Sequence, residues 1–575
     1  MALNSKSSLR LLQIACFGLL TATVRAQSDP TPRSGSTYGS NYLRTTRDSD
    51  VVSTAFEDVD GIELLSPFFM KSESVNAGFA NGTQGPTDDS ELGEYANPDT
   101  KVSGIDMSTD YFIRTLANRN DWMSYRPGEF LSEEGRAINY VYLSEPSTEP
   151  LVASANSTKL KVYIQAAIHG NEPAADQAAL ALLGKMDANQ TWTASLLSKM
   201  DILMLPRYNV DGVHYFQRAL ANNLDGNREA IKLDRQPSRD IRQRFIDFGP
   251  HIAVDLHEFT APTIYGGDYQ HAADALISGG VNPNIHPTIR SEVLDRFIPA
   301  MGRRLESYDL RWAPYVTGAG SNISGSEIVF EEAVTEARTG RNAMGLSQAI
   351  SFLLEMRGIR IAGQHFQRRV ATALLKLEAI LETARDDADE VFSNVESARE
   401  DFINGTEDIV VTDSYTPTNA TFPLVNRETG QVEQVPITFI TTTPSIANLT
   451  RSRPSAYLIP RAWSDVAARL RVLGLEVQTL ESTYRGNVEA LYVKNSTLDT
   501  SLYEGHVLNT LVMESEMIDV ELPAGSFWVS TAQKNAALAF VALEPENIDS
   551  FATFSLVPLE VGDEYPIFRV LRGVV

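Results

Sequence analysis

Cysteine is nearly missing from this 575-residue chain, and the single one, Cys16, falls inside an N-terminal apolar stretch. Once that stretch is removed, disulfides, thiol nucleophiles and cysteine metal sites are all excluded. A chain of this length builds its core without bridges, unlike a small secreted domain. Basic residues are also short: 49 Lys and Arg stand against 74 Asp and Glu, for a net charge of −25. A field of that sign repels phosphate backbones and anionic lipid surfaces, so neither nucleic acid nor a membrane is expected as a partner. Long hydrophobic runs are absent too. Nothing reaches the roughly 20 apolar residues that span a bilayer, and Arg572-Gly573-Val574-Val575 is no lipid-anchor tail. A hydrophobic share of 43 % with 21 % charged residues nevertheless supports a packed globular core and excludes a wholly disordered chain.

What the N-terminus does contain is a targeting pattern. Lys6 and Arg10 form a basic region, Leu11 to Leu20 supply a short apolar stretch, and Val24-Arg25-Ala26 places small residues at both positions a signal peptidase reads. Residues 1–26 are therefore expected to be a cleaved signal peptide, with Gln27 as the mature terminus. Eight Asn-x-Ser/Thr sequons follow, at Asn81, Asn156, Asn189, Asn322, Asn404, Asn419, Asn448 and Asn495. Together they point to a secreted, extracellular glycoprotein. A monomer is expected.

Residues 27–104 are rich in Ser, Thr, Gly, Asp and Pro and are expected to be an irregular leader or pro-like segment. From Met107 the pattern alternates. A helix is predicted over Met107–Asn118, strands over Ala137–Leu143 and Lys159–Ile168, and a helix opening at Pro173. Strands at Asp201–Leu205, Ile252–Leu256 and Ile350–Glu355 alternate with helices at Pro237–Phe248 and Ile289–Tyr308, and a long helical stretch covers Gln364–Asp401. Apolar strands between helices indicate an α/β protein whose largely parallel sheet binds ligand at its carboxyl edge. After Asn404 short strands dominate, at Val435–Thr442, Ala456–Ile459, Val488–Val493, Leu511–Ile518, Ser526–Ser530 and Ala537–Ala542, around one helix at Ala462–Leu473. Residues 105–403 are thus expected to form the catalytic domain and 404–575 a smaller β-rich domain.

Chemistry gathers in the first of these. His169-Gly-Asn-Glu172 follows the most apolar predicted strand, and His257 ends another. Both ends face one side of a parallel sheet, so His169, Glu172 and His257 can close on a single zinc ion and leave a coordination position open. The competing reading makes His169 a turn residue, Glu172 a helix start and His257 a satisfied core histidine. Glu355 ends a further apolar strand, a costly place for a carboxylate that is neither paired nor functional. It can accept a proton from water near the metal, or form an ion pair with Arg357 or Arg360. Asn227-Arg228 offers a guanidinium fork and an amide, the donors a peptide carboxylate needs. Asp255 either orients a ligand or pairs structurally.

These stretches resemble the zinc metallocarboxypeptidases of the carboxypeptidase A type (family M14, the funnelins). His169-x-x-Glu172 and His257 match the family's zinc motif. Arg207-Tyr-Asn-Val-Asp-Gly212 resembles its Asn-Pro-Asp-Gly turn, Leu224-Asp-Gly-Asn-Arg228 its carboxylate-binding segment, and Ser351-Phe-Leu-Leu-Glu-Met-Arg-Gly358 the strand bearing its catalytic glutamate. The resemblance implies a three-layer α/β/α sandwich around a mixed, largely parallel sheet, with one zinc per chain. It implies hydrolysis of C-terminal peptide bonds by zinc-activated water, with Glu355 as general base and Arg218 as oxyanion donor. Asn227 and Arg228 would bind the free C-terminus of peptide or protein substrates. Arg207 is a reserve oxyanion donor, and the bland reading of Arg218 is a solvent-facing helix residue. Pro523-Ala-Gly-Ser526 and Leu543-Glu-Pro-Glu546 are similar to a subgroup of larger secreted members.

Two departures stand out. Val210 replaces the turn's usual proline. No tyrosine lies between Val329 and Ser351, where the family carries a substrate-capping one. Arg338 and Arg341 occupy that stretch. They either supply the missing contact, line a pocket for an acidic side chain, or pair with Glu332 and Glu336. Two other functions compete: a zinc amidohydrolase acting on small N-acyl amino acids, and an inactive binding or wall-associated protein.

Overall fold

The protein is described by a computed structural model covering residues 47–69, 102–146, 158–361 and 363–573. The expected signal peptide, the Gln27 terminus and sequons Asn81 and Asn156 fall outside these residues. Eight strands form the main sheet, in the order β1 (Met123–Leu131), β2 (Ala137–Leu143), β4 (Met200–Leu205), β3 (Leu160–Ala166), β5 (Ile252–Thr260), β11 (Ile350–Ile359), β7 (Ala275–Gly279) and β8 (Trp312–Pro314). Its centre, β4-β3-β5-β11, is parallel. The pairs β1-β2, β2-β4 and β11-β7 are antiparallel. The sheet is mixed, with its parallel run where the carboxyl ends converge.

Both faces are covered, and the alternation of side chains along a strand decides which residue meets which layer. Val162, Ile164, Ile202, Met204, Val254, Leu256, Phe352 and Leu354 share one core with the helices Pro173–Ala188 and Phe366–Asp386. Tyr163, Leu203, Leu205 and Ala253 point the other way, against Ile241, Phe245 and Phe248 of the helix Gln236–Phe248. This is the expected three-layer sandwich. Two further sheets extend it. A five-stranded one runs β6 (Tyr269–His271), β12 (Ile409–Asn426), β13 (Val432–Arg451), β10 (Val329–Glu332) and β9 (Val316–Thr317). A six-stranded one runs β15 (Gln478–Thr479), β18 (Phe527–Ser530), β14 (Ala456–Ile459), β19 (Phe568–Val570), β16 (Tyr484–Tyr503) and β17 (His506–Leu522).

Four expected elements take a different form or extent. Ala536–Leu543 is a helix, not a strand. It is buried on every side, so it shows no amphipathic period, and its four alanines favour helix. The helix expected over Ile289–Tyr308 becomes Pro287–Ser291, a π-helical turn over Glu292–Phe297, and Ile298–Glu306. The altered register precedes Pro299, which has no amide hydrogen to give. Strands β5 and β11 continue past His257 and Glu355, which therefore lie within strands rather than at their ends. Charge did not end these strands because it is matched inside them: Arg369 Nε donates to Glu258 at 2.7 Å, and Arg357 Nη2 to Asp48 at 3.0 Å.

That second contact comes from residues 47–69, which lie on the body. Ser66 Oγ donates to Gln177 at 2.8 Å, and the Phe68 ring meets Phe366 edge-on at 4.3 Å. No helix among the described residues is long and apolar enough to cross a membrane.

Candidate active site

The site begins where β3 ends. Ala167 adopts φ 53°, a left-handed conformation that turns the chain sharply before His169. Gly170 then lies so close to a second turn that a Cβ on it would sit 1.8 Å from the backbone carbon of Gly212. That second turn is Asn209-Val-Asp-Gly212. Asn209 Oδ1 accepts from the Gly212 amide at 2.7 Å, capping the short helix Val210–Tyr215. Its Nδ2 donates to the carbonyls of Arg218 and Ala219 at 3.2 and 3.0 Å, so one asparagine fixes both the turn and the backbone of Arg218. The turn keeps its cap without proline at position 210. Gly170→Ala is expected to cost about 1–3 kcal/mol or more through backbone overlap and to weaken metal retention, because the overlap displaces the His169 turn. Thermal unfolding and metal content, measured together, check this; an unchanged value of both would contradict it.

Three side chains meet above the sheet. His169 Nδ1 lies 2.7 Å from Glu172 Oε1, His257 Nδ1 lies 3.0 Å from Glu172 Oε2, and the two Nδ1 atoms are 3.1 Å apart. All three residues are buried, and their ligand atoms fall within 4.8 Å of one another. Two imidazole nitrogens this close to each other and to one carboxylate are placed to hold a cation between them. A two-His, one-Glu donor set suits zinc. Carboxylates lie behind the outer nitrogens as well: His169 Nε2 is hydrogen-bonded to Asp225 at 3.1 Å, and Asp255 lies 2.9 Å from His257 Nε2 in an ion-pair contact. Carboxylates behind ligating histidines set tautomer and basicity. Burial alone would push the Glu172 carboxyl up, but the two imidazoles outweigh it and hold it well below the usual carboxylate range.

Glu355 faces His257 in register across β11 and β5. It is buried, and its Oε2 has no hydrogen-bond partner. Burial, reinforced by the Glu172 charge and opposed by the imidazoles, pushes its carboxyl up to about 7. The ion pairs considered for it do not form, since Arg357 belongs to Asp48. The buried Lys376 ammonium donates to the Glu355 carbonyl at 2.9 Å from behind.

The triad, Glu355, Arg218, Asn227 and Arg228 line a single cavity of about 460 Å³. Arg218 donates to Asp225 Oδ2 through Nε and Nη2, at 3.2 and 2.9 Å, while its Nη1 lies 3.6 Å from Glu172. With its side chain 42 % exposed it belongs to the open rim. Asn227, a lining residue, accepts from the Gly340 amide through Oδ1 at 2.7 Å, so the amino group is the part of its side chain left to donate. The reserve candidate, Arg207, is buried on Asp176 at 2.6 Å and is not among the lining residues.

Three contributors escaped the sequence reading. Asp225, inside the quoted Leu224–Arg228 segment, joins His169 to Arg218. Tyr315 supplies an aromatic wall; it lies outside the Val329–Ser351 interval, where the resemblance places a tyrosine. Glu504, at the tip of the β16–β17 hairpin, accepts the Asp225 amide at 2.7 Å. Separated by 279 positions, that pair left no local signal.

The sequence profile described as zinc carboxypeptidase matches residues 130–261. Carboxypeptidase 2 of Trichophyton tonsurans is 48 % identical over 535 residues, covering 93 % of this chain and 96 % of that protein. Carboxypeptidase 2 of Trichophyton rubrum matches over the same span at 48 % identity. Among solved structures, a metallo-carboxypeptidase from Burkholderia cenocepacia is 19 % identical, covers 48 % of this chain and 68 % of its own, and superposes with a TM-score of 0.37.

Proposed function

Since the chain belongs to the zinc carboxypeptidase family, we propose that it removes residues from the free C-termini of peptides and proteins, with His169, Glu172 and His257 holding one zinc ion. The observation that carries this reading is the convergence of two imidazole nitrogens on one buried carboxylate, in the same cavity as an unpartnered glutamate and an Asn-Arg pair. Zinc in that position supplies Lewis acidity toward the scissile carbonyl and a more acidic water.

The remaining work falls to the chain's own side chains. Glu355 takes the attacking water's proton at Oε2 and delivers it to the departing amine. Arg218, anchored by Asp225, directs a guanidinium hydrogen at the developing oxyanion. Arg228 and the amino group of Asn227 hold the terminal carboxylate, which places the last peptide bond beside Glu355. Asp255 and Asp225 position the two histidines. Purified protein is expected to contain one zinc per chain, and His169→Ala to lose it. Elemental analysis decides: no stoichiometric metal, or unchanged zinc in the variant, refutes the assignment.

We also propose that the protein is secreted and glycosylated. In support, all six sequon asparagines among the described residues, Asn189, Asn322, Asn404, Asn419, Asn448 and Asn495, are exposed. Extracellular protein should begin at Gln27 and lose mass on glycosidase treatment; retention of residues 1–26 would contradict this.

A further inference from the structure

The two arginines that sequence alone could not rank have different fates. Arg338 is committed elsewhere. Its backbone amide donates to Asp549 Oδ2 at 3.0 Å, its Nε pairs with Asp549 Oδ1, and its guanidinium lies over the Tyr503 and Phe554 rings. It fastens the loop to the C-terminal part of the chain and does not line the cavity.

Arg341 does line it. The side chain is only 4 % exposed, yet it forms no ion pair among the described residues. Nη2 donates to the Val334 carbonyl at 2.7 Å, Nε is buried without a partner, and the guanidinium carbon lies 5.9 Å from the Tyr315 ring centre. The acids nearest in sequence are otherwise engaged. Glu332 accepts from the Thr442 and Thr443 amides at 2.9 and 3.1 Å, and Glu336 lies 3.6 Å from Arg338. A guanidinium cannot shed its charge at any ordinary pH. Glu355 and Glu336 line the same cavity and favour its charge from a distance, but neither closes an ion pair with it, so the buried guanidinium is left to pair with an anion from outside. Arg228 is also without an ion pair among the described residues, its Nη1 donating only to the Asn227 carbonyl at 2.8 Å. With Arg218 paired to Asp225, the cavity therefore offers two guanidinium groups without an ion pair among the described residues, one more than a single terminal carboxylate requires.

We infer that Arg341 is a specificity-determining residue that receives a side-chain carboxylate, so that the preferred substrates end in glutamate or aspartate. The inference rests on the carboxypeptidase reading and on Arg228 holding the α-carboxylate. A dicarboxylate terminus then matches the two cations one to one. A lysine terminus would bring a third positive charge to the same wall, and a large apolar terminus would leave Arg341 desolvated and unpaired.

The test uses zinc-loaded, full-length enzyme and blocked peptides identical except for a terminal Glu, Gln, Phe or Lys. Glu and Gln have nearly the same shape, so their kcat/KM ratio isolates the charge. A ratio of at least tenfold in favour of Glu is expected, falling toward one in Arg341→Met. The ratio is internal to each preparation, so partial loss of folded variant does not distort it. Should Arg341→Met fail to fold, wild-type enzyme answers alone: glutarate should inhibit at least tenfold more strongly than its half-amide, glutaramate. Cleavage of Gln, Phe or Lys termini as fast as Glu termini, or equal inhibition by the two compounds, overturns the inference and leaves the carboxypeptidase reading intact. Failure to cleave any free-acid peptide overturns the reading itself.

Discussion

Glu355→Gln is expected to lower kcat by about 10²- to 10⁴-fold, the span a positioned general acid–base group contributes, while zinc content stays at one per chain. The substitution keeps the shape of the side chain and removes only its ability to hold a proton. It should leave the metal ligands in place, because the partners of Glu172 are His169, His257 and the Glu258 amide, not Glu355. The pH profile provides a second readout. Glu355 works as a base only when ionised, and burial raises its carboxyl from 4.5 to about 7. Wild-type kcat/KM should therefore climb with pH somewhere between 4.5 and about 7, the zinc charge drawing the midpoint toward the lower end. The residual activity of Glu355→Gln should lack that limb. Equal turnover of the two proteins at matched zinc content would remove Glu355 from the mechanism.

Arg228→Ala should cut kcat/KM on free-acid peptides by about 30-fold or more. Arg228 is half-buried at the cavity wall beside buried Asn227. Losing one partner of a desolvated, hydrogen-bonded charge pair costs roughly 2–5 kcal/mol, much of it from the carboxylate left unpaired. At 1.4 kcal/mol per factor of ten, the lower bound already gives about 30-fold. Residual cleavage of C-terminally amidated peptides should change far less, because they carry no terminal charge to lose. A variant impaired equally on both substrates would mean that Arg228 shapes the site without recognising the terminus.

The catalytic core was legible because its chemistry rides on local patterns. A largely apolar run, followed by His-Gly-Asn-Glu and a proline-initiated helix, locates β3 to within two residues at each end, and marks its turn and the start of the helix Pro173–Ala188. Asn227-Arg228 and Glu355 sit in equally local contexts, and all reach the cavity. Long-range contacts left no such trace. Glu504 reaches Asp225 from a hairpin tip, and Asp549 claims Arg338 across 211 positions. Nothing in the Glu332–Gly345 stretch distinguishes Arg338 from Arg341. Only the tertiary structure shows that one is paired and the other is not. The helix Ala536–Leu543 is illegible for a different reason: a short segment that is apolar on all sides carries no periodicity to read.

Zinc-dependent recognition of a free C-terminus is tested most directly with one peptide in two forms, a free C-terminal carboxylate and an amide, incubated with zinc-loaded and zinc-stripped enzyme. Stepwise loss of the terminal residue is expected from the free acid, with little or none from the amide, and no release once zinc is removed until it is restored. Equal cleavage of acid and amide by the loaded enzyme would contradict recognition of the terminus and favour a small-amide hydrolase; undiminished cleavage without zinc would contradict the metal site.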